Sequence, residues 1–339
     1  MEAIFNRKFL IFSCLCLFLI LCGCIIKYNA KGIDEASGML VVDGVITDGE
    51  SDITLNWSIN LTAGDENTLS YVDSANVYVE CDDGSRVIGY PDYSGKYFLG
   101  LYKINTGTLN PDRQYRLKIK IGALEYCSDY SHPLQTSEID SVFWVKTGSG
   151  QPVQIFVTTH DSENRILYYR WSYEEVWEYH ADVNCDIDHY FCWDKSKNND
   201  FLLGSTERIA SWKLNCKLVE SSPYDKRWTM LYRIDVTQNE ISKGAYDFFT
   251  NIKKNAQQSG TIFAPIPSEL GGNITCTTNP GKSAIGYVDV SKSMKKRLYI
   301  PYSDEIYENN GVWCDTCCDC RSMGSVRATS IEPDDWPDQ

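Results

Sequence analysis

One heptapeptide, Tyr115-Arg116-Leu117-Lys118-Ile119-Lys120-Ile121, indicates the fold class. Apolar and basic residues alternate along it, so Leu117, Ile119 and Ile121 share one face and the basic side chains share the other. This period of two predicts a β-strand that is buried on one face and meets water on the other.

Other short β-like runs precede this strand at regular spacing, separated by turn sequences such as Asp82-Asp83-Gly84 and Asn110-Pro111-Asp112. They cover residues 39–42, 53–57, 75–80, 87–88 and 97–99. Short strands with turns between them are typical of an immunoglobulin-like β-sandwich. We therefore predict a mainly β protein whose first domain is a sandwich over residues 39–137.

The remaining residues, 138–339, are predicted to form a second β-rich domain with one inserted amphipathic helix and a cysteine-rich C-terminal tail. Its strands are predicted at 139–145, 153–159, 166–174, 284–290 and 297–300. Ser242 is a suitable N-cap, and Gly260 would end the helix. An apolar stripe at helical spacing follows the cap, which predicts a helix near 242–258 packed on the second sheet. The stripe consists of Ala245, Phe248, Phe249, Ile252 and Ala256.

The strand at 166–174 is the most aromatic of the chain and admits two interpretations. Its rings form the packed face of a sandwich, or they contact a ligand or a partner. If the strand faces solvent, the predicted contact residues are Tyr168, Tyr169, Trp171 and Trp177. The core role is favoured for Tyr169 and Trp171.

The N-terminus has the pattern of a secretory signal, because Arg7 and Lys8 precede an uncharged apolar run over residues 9–21. This run is shorter than the roughly 20 residues that span a bilayer. The segment Leu21-Cys22-Gly23-Cys24 resembles a bacterial lipobox, in which a small residue precedes the lipidated cysteine. We predict a signal peptide over 1–23, lipidation at Cys24 and a tether over 24–38.

The chain contains fourteen cysteines, and ten of them follow the predicted lipid site. In an exported protein, an even number of cysteines favours disulfides over metal binding. Cys185 and Cys192 are predicted to form a local disulfide, and the tail to reach back to Cys276 or Cys216. A zinc or copper(I) site in the tail is the weaker alternative. The candidate disulfide residues are Cys185, Cys192, Cys216, Cys276, Cys314, Cys317, Cys318 and Cys320.

The composition and the absence of several motifs argue against some classes of function. A formal charge of −14 opposes binding to nucleic-acid phosphates. The sequence lacks the G-x-S-x-G and zinc-protease motifs. Gly281-Lys282-Ser283 lacks the earlier glycine of a phosphate-binding loop, and residues 182–193 lack the glycine and final acid of an EF-hand. We predict no catalytic residue, no metal and no cofactor.

Several segments taken together resemble one family, and they extend over nearly the whole mature chain. They are Leu40–Gly44, Cys192-Trp193, Ile241–Phe249, Gly260–Pro267, Gly272–Cys276, Asn279–Gly281, Ile285–Tyr287, Arg297–Ile300 and Cys318–Arg321. The chain resembles the uncharacterised outer-membrane lipoproteins of Bacteroidota, a domain-of-unknown-function family often encoded beside TonB-dependent receptors. The family tail ends in Lys-Pro-Asp-Phe-Trp, whereas here it is Glu332-Pro333-Asp334-Asp335-Trp336.

The resemblance implies a lipid-anchored protein at the surface or periplasmic side of the outer membrane. It implies a binding or docking accessory of a TonB-dependent nutrient receptor, with no catalytic residue to transfer. A hydrolase of glycans or peptides and a structural or adhesive lipoprotein are the alternatives. A buried carboxylate pair in a cleft would indicate the hydrolase, and the lack of any ligand-sized concavity would indicate the structural protein.

Overall fold

The structure is a computed structural model, which describes residues 38–58, 70–93, 98–163, 165–181, 187–198, 200–258, 271–282, 284–308 and 319–337. The prediction of a mainly β fold is confirmed, because the described residues form five sheets and a single α-helix. Cys24 and residues 1–37 lie outside the described part.

The strands are short, as the turn spacing predicts. The first ten are β1 (Leu40–Gly44), β2 (Gly49–Trp57), β3 (Ser70–Tyr71), β4 (Asn76–Cys81), β5 (Arg86–Ile88), β6 (Tyr90–Pro91), β7 (Leu101–Gly107), β8 (Tyr115–Ile121), β9 (Leu124–Ser128) and β10 (Leu134–Gln135). The others are β11 (Ile139–Val145), β12 (Val153–His160), β13 (Tyr168–His180), β14 (Phe191–Lys197), β15 (Leu202–Ser205), β16 (Lys213–Ser221), β17 (Tyr232–Glu240), β18 (Ile274–Cys276), β19 (Ala284–Gly286), β20 (Ser291–Lys292) and β21 (Met294–Ile300).

Two sheets form the first sandwich. Sheet I has the strand order β19-β1-β2-β7-β6, with β3 paired to β2, and sheet II has the order β18-β9-β8-β4-β5. The predicted inward residues Leu117 and Ile119 are buried in the core between the sheets, together with Leu40, Ile53 and Tyr126. The strand predicted at 97–99 is wrong, because Phe98 and Leu99 lie in a loop before β7.

The prediction assigns every residue after 137 to the second domain, but one later segment belongs to the first sandwich. Strand β18 pairs with β9, and β19 pairs in parallel with β1, so residues 271–292 return to the first sandwich. Ile274 and Ala284 are buried in its core. The return covers the outer edges of β1 and β9, whose backbone groups would otherwise lack strand partners.

The second sandwich packs a three-stranded sheet III (β11-β12-β16) against sheet IV, whose order is β14-β13-β17-β21 with β15 paired to β13. Long antiparallel pairing between β13 and β17 builds its centre, from Tyr169 opposite Glu240 to Trp177 opposite Tyr232. The core between these sheets is rich in aromatic residues, as the composition of β13 predicts.

The predicted helix is confirmed as α1 (Lys243–Gln258). The hydroxyl of Ser242 accepts a hydrogen bond from the backbone N–H of Ala245 at 3.2 Å, which caps the helix. Ala245 and Phe249 are buried against Tyr168, on the outer face of sheet IV. No helix in the described ranges is long and apolar enough to cross a membrane.

Candidate functional site

The four aromatic residues predicted as contacts are all buried. Tyr169, Trp171 and Trp177 lie in the core of the second sandwich, and Tyr168 lies beneath α1. The Trp171 indole donates to Gln238 Oε1 at 2.7 Å, so its polar group is satisfied internally. The core interpretation of this strand is therefore correct, and the prediction of a solvent-facing contact surface is wrong.

The cysteines are arranged differently from the prediction. Cys192 forms a disulfide with Cys320, which lies 128 residues later, so the local bond from Cys192 to Cys185 is wrong. Among the described cysteines, Cys216 and Cys276 are free thiols, as are Cys81 and Cys127, so the disulfides predicted for Cys216 and Cys276 are not formed. Cys185, Cys314, Cys317 and Cys318 lie outside the described residues. The difference arises because pairing depends on tertiary proximity, which sequence spacing does not reveal.

A buried charge pair in the second sandwich has a structural role. Glu175 accepts hydrogen bonds from Arg227 Nη1 at 2.8 Å and from the Tyr232 hydroxyl at 2.6 Å. Burial, followed by the neighbouring Glu175 charge, raises the pKa of Tyr232 well above its ordinary value. The Arg227 guanidinium therefore neutralises the negative charge of Glu175 inside the core, and the Tyr232 hydroxyl adds a hydrogen bond to the same carboxylate. No group of three or more metal-ligating side chains occurs within the described part of the chain.

A cluster of charged and aromatic side chains lies on the outer face of sheet II. Alternation in β4, β5 and β8 directs these residues away from the core, and the strand register brings them together: Tyr78 pairs with Ile88, and Glu80 lies between Arg86 and Arg116. We call this surface the arginine–tyrosine face, formed by Tyr78, Glu80, Arg86, Ile88, Arg116, Lys118 and Tyr130.

Glu80 is the centre of the arginine–tyrosine face, and only 5% of it is exposed. Its Oε1 accepts from Arg86 Nε at 2.9 Å, and its Oε2 accepts from Arg116 Nε at 2.8 Å and from the Tyr130 hydroxyl at 3.2 Å. Burial raises the pKa of Glu80, but the hydrogen bonds from Arg116 and Arg86 outweigh it and hold the pKa below its ordinary value. The carboxylate is therefore ionised and orients both guanidinium groups.

The same two arginines also make cation–π contacts with tyrosine rings. The Arg116 guanidinium lies 4.3 Å from the centroid of the Tyr130 ring, and the Arg86 guanidinium lies 5.1 Å from that of Tyr78. Such cation–π contacts favour one side-chain arrangement over the many that a free arginine adopts. The face is therefore organised before any partner binds.

Large apolar side chains extend this surface toward the edge of the sandwich. Ile88 is 61% exposed, and Tyr90 in the next strand is 68% exposed. Between them, Gly89 takes the chain from sheet II to sheet I, and a Cβ at this position would lie 2.6 Å from Ile104 Cγ1. Only glycine fits this close crossing, after which Tyr90 pairs with Lys103 of β7 at the edge of sheet I.

The thiol on this face is not activated for chemistry. Cys127 lies opposite Lys118 in the strand register and is buried. Burial raises the pKa of its thiol, although the Lys118 and Arg116 charges act in the opposite direction. The thiol therefore stays protonated near neutral pH and is a poor nucleophile.

Comparison with known families matches residues 26–297 to a family profile. The chain belongs to the DUF4249 family, a domain of unknown function. The matched range includes both sandwiches as far as β21, and therefore the whole arginine–tyrosine face.

Other comparisons add little to the DUF4249 assignment. No curated protein matches the chain. Among solved structures, a protein titled "The Enterococcus faecalis MSCRAMM ACE binds its ligands by the collagen Hug Model" is similar at 7% identity and a TM-score of 0.13. That similarity covers 61% of this chain and 91% of the other.

Sequence reasoning found part of this DUF4249 surface and missed the rest. The alternation in β8 correctly places Arg116 and Lys118 on the outer face of sheet II, although the Lys118 side chain is largely covered there. It does not show that Glu80, 36 residues earlier, lies beside Arg116, since this depends on the register of β4 against β8. The run 75–80 also alternates, which places Tyr78 and Glu80 on the same face of their strand. This pattern was the sequence signal that could have assigned them to the surface.

Proposed function

We propose that this protein is a lipid-anchored outer-membrane protein that acts as a non-catalytic docking accessory of a TonB-dependent receptor. Docking uses the arginine–tyrosine face and the adjoining Tyr90. The lipid on Cys24 holds the protein in the membrane plane, so that the receptor is met as a neighbour at high effective concentration.

The observation that supports docking most directly is the composition of the exposed surface on the first sandwich. Tyrosine and arginine are enriched among the residues that dominate the energy of protein interfaces. Here Arg86 and Tyr130 are exposed, Arg116 and Tyr78 are half-buried, and both arginines are preorganised around Glu80. Exposed Ile88 and, beyond Gly89, Tyr90 add apolar surface. Preorganisation lowers the entropy lost on binding, because the side chains already occupy one arrangement.

The test is gentle detergent extraction of membranes, followed by pull-down with the full-length lipoprotein as bait. We expect mass spectrometry to identify a TonB-dependent receptor in the captured material. The double variant Ile88→Asp/Tyr90→Asp should lower capture by about tenfold or more, as expected for loss of interface hot spots.

The matched control is the double variant Val326→Asp/Ile331→Asp, which changes two exposed apolar residues of the C-terminal segment and should capture as much receptor as the wild type. Capture of no receptor, together with hydrolysis of a glycan or peptide panel by the purified protein, would contradict the proposal and support the enzyme alternative.

A further inference from the structure

The two arginines of the arginine–tyrosine face keep unused donors. Arg86 directs Nε and Nη2 to Glu80 Oε1, the latter at 2.7 Å, and Arg116 directs Nε and Nη2 to Glu80 Oε2. Within the described ranges, no hydrogen bond is made by the Nη1 group of either arginine. Each guanidinium therefore presents two N–H donors to an incoming acceptor.

The charge around Glu80 is positive although the whole chain is acidic. Arg86, Arg116 and Lys118 surround Glu80 and Glu125; Lys118 Nζ lies 2.7 Å from Glu125 and 3.8 Å from Glu80. Exposed Lys120 adds a further positive charge on the same strand face. Cations therefore outnumber carboxylates here, whereas the chain as a whole carries −14.

We propose that Arg86 and Arg116 bind carboxylate side chains of an acidic segment of the docked protein. This inference rests on the proposed function and specifies the chemistry of the partner. A guanidinium with free N–H groups recognises a carboxylate through charge-assisted hydrogen bonds. Ile88 lies opposite Tyr78, beside the charged cluster, and contacts an apolar residue next to the acids, which selects a polypeptide over a small free anion.

Glu80 acts as a positioning residue for this site. It neutralises part of the arginine charge, but it also fixes the direction in which each guanidinium points. Because the carboxylate is buried and the two arginines contact different oxygens, their free Nη1 groups are held on either side of it. The partner carboxylates gain hydrogen bonds without the cost of ordering two long side chains.

The experiment has two arms, both with the full-length lipoprotein in detergent. The first arm measures, by fluorescence anisotropy, binding of a labelled peptide of alternating Glu and Val and of its Gln-for-Glu counterpart. The second arm measures receptor capture in a salt gradient. Arg86→Gln and Arg116→Gln are compared with Arg113→Gln, an arginine that is 47% exposed in a turn outside the face.

We expect the Glu peptide to bind and the Gln peptide to bind at least tenfold more weakly. Arg86→Gln should weaken binding of the Glu peptide about tenfold, as for loss of one charge-assisted contact. It should also release the receptor at lower salt, whereas Arg113→Gln should match the wild type. Arg116 is less exposed than Arg86, so Arg116→Gln is the variant more prone to lower the melting temperature. If it does, the conclusion is drawn from Arg86→Gln.

Equal binding of the Glu and Gln peptides, or wild-type peptide binding by Arg86→Gln, would overturn this inference. Receptor capture that is sensitive to Ile88→Asp/Tyr90→Asp but not to Arg86→Gln would overturn it too, while leaving the proposed function standing. Arginine-dependent peptide binding without any receptor capture would support the acidic-segment site and contradict the TonB-receptor function.

Discussion

The surroundings of Glu240 shift the protonation of its carboxyl group into the neutral pH range. It ends β17, where its backbone N–H donates to the Thr136 hydroxyl at 2.8 Å, next to the junction of the two sandwiches. Burial raises its pKa to about 7, and the negative charges of Asp161 and Asp289 add to the effect. A backbone hydrogen bond from Gln135 and the charge of Arg165 oppose it.

The prediction for Glu240 is a loss of stability as the pH rises. Its folded pKa lies above the ordinary value of 4.5, so its favourable contribution is complete below pH 4.5 and is lost as the pH rises through 7. Glu240→Gln should flatten this slope and raise the free energy of unfolding at pH 8 by about 1–2 kcal/mol. Urea unfolding between pH 5 and 8 measures it.

The control for this change is Glu332→Gln, which alters an exposed glutamate. It should keep the wild-type dependence on pH. The prediction fails if Glu240→Gln and Glu332→Gln show the same slope between pH 5 and 8.

At the scale of an element, residues 319–337 act as a strap along the second sandwich. The Cys192–Cys320 disulfide holds its beginning, and Thr329 forms a backbone bridge with Trp193 at the edge of β14. At its end, Trp336 is buried and makes edge-on contact with Trp193 and Tyr299, each at 6.5 Å between ring centroids. The strap therefore covers the edge of sheet IV and an aromatic part of its outer face.

Asp335 adds a charge contact at the end of the strap. It accepts from Arg233 Nη1 at 2.7 Å and from Arg297 Nη2 at 2.8 Å, and both arginines also contact Asp235. The Arg233 and Arg297 hydrogen bonds lower the pKa of Asp335, despite partial burial. The Asp335-Trp336 pair thus combines ion pairing with aromatic burial at one point of sheet IV.

Removal of the Trp336 ring should destabilise the protein and loosen the strap. Trp336→Ala is expected to cost about 3 kcal/mol, the lower end for loss of a large buried side chain, because the chain end relaxes easily. Limited trypsin digestion should then cleave faster after Arg327, although the disulfide still holds Cys320. Trp212→Ala changes a tryptophan that is 42% exposed and serves as the control. Equal stability of the two variants would show that the strap contributes nothing.

At the scale of the whole molecule, side-chain contacts join the two sandwiches. Arg170 of β13 lies 2.9 Å from Asp43 of β1, and its guanidinium lies 4.5 Å from the ring centroid of Phe249 in α1. The Thr47 hydroxyl donates to Ser293 at 2.9 Å, next to the segment that returns to the first sandwich. Docking on the arginine–tyrosine face would therefore hold both sandwiches near the receptor.

The predicted attachment to the membrane is tested at the mature N-terminus. Mass spectrometry should find a lipid-modified peptide that begins at Cys24, and Cys24→Ser should move the protein from the membrane fraction to the soluble fraction. Cys22→Ser is the matched control and should leave the membrane association unchanged. A mature chain that begins elsewhere, or an unmodified Cys24, would contradict the lipid anchor and with it the effective-concentration argument for docking.

The sequence by itself determined features that depend on a few neighbouring residues. Alternation in residues 115–121 predicted a strand with Leu117 inward and Arg116 outward, and the structure has both. The Ser242 cap and the apolar stripe predicted α1 to within a residue at its start. These features can be predicted because strand pleat and helical pitch repeat over two to four residues. The spacing of apolar residues within a segment therefore shows which of its faces is buried.

Only the tertiary structure decided how these segments combine. The return of β18 and β19 to the first sandwich, the bond from Cys192 to Cys320 and the meeting of Glu80 with Arg116 join residues that are distant in sequence. The aromatic strand shows the same limit: its alternation separates two faces, but both are covered, one by sheet III and the other in part by α1. Strand register and the packing of whole layers set these outcomes, and both depend on interactions across the entire chain.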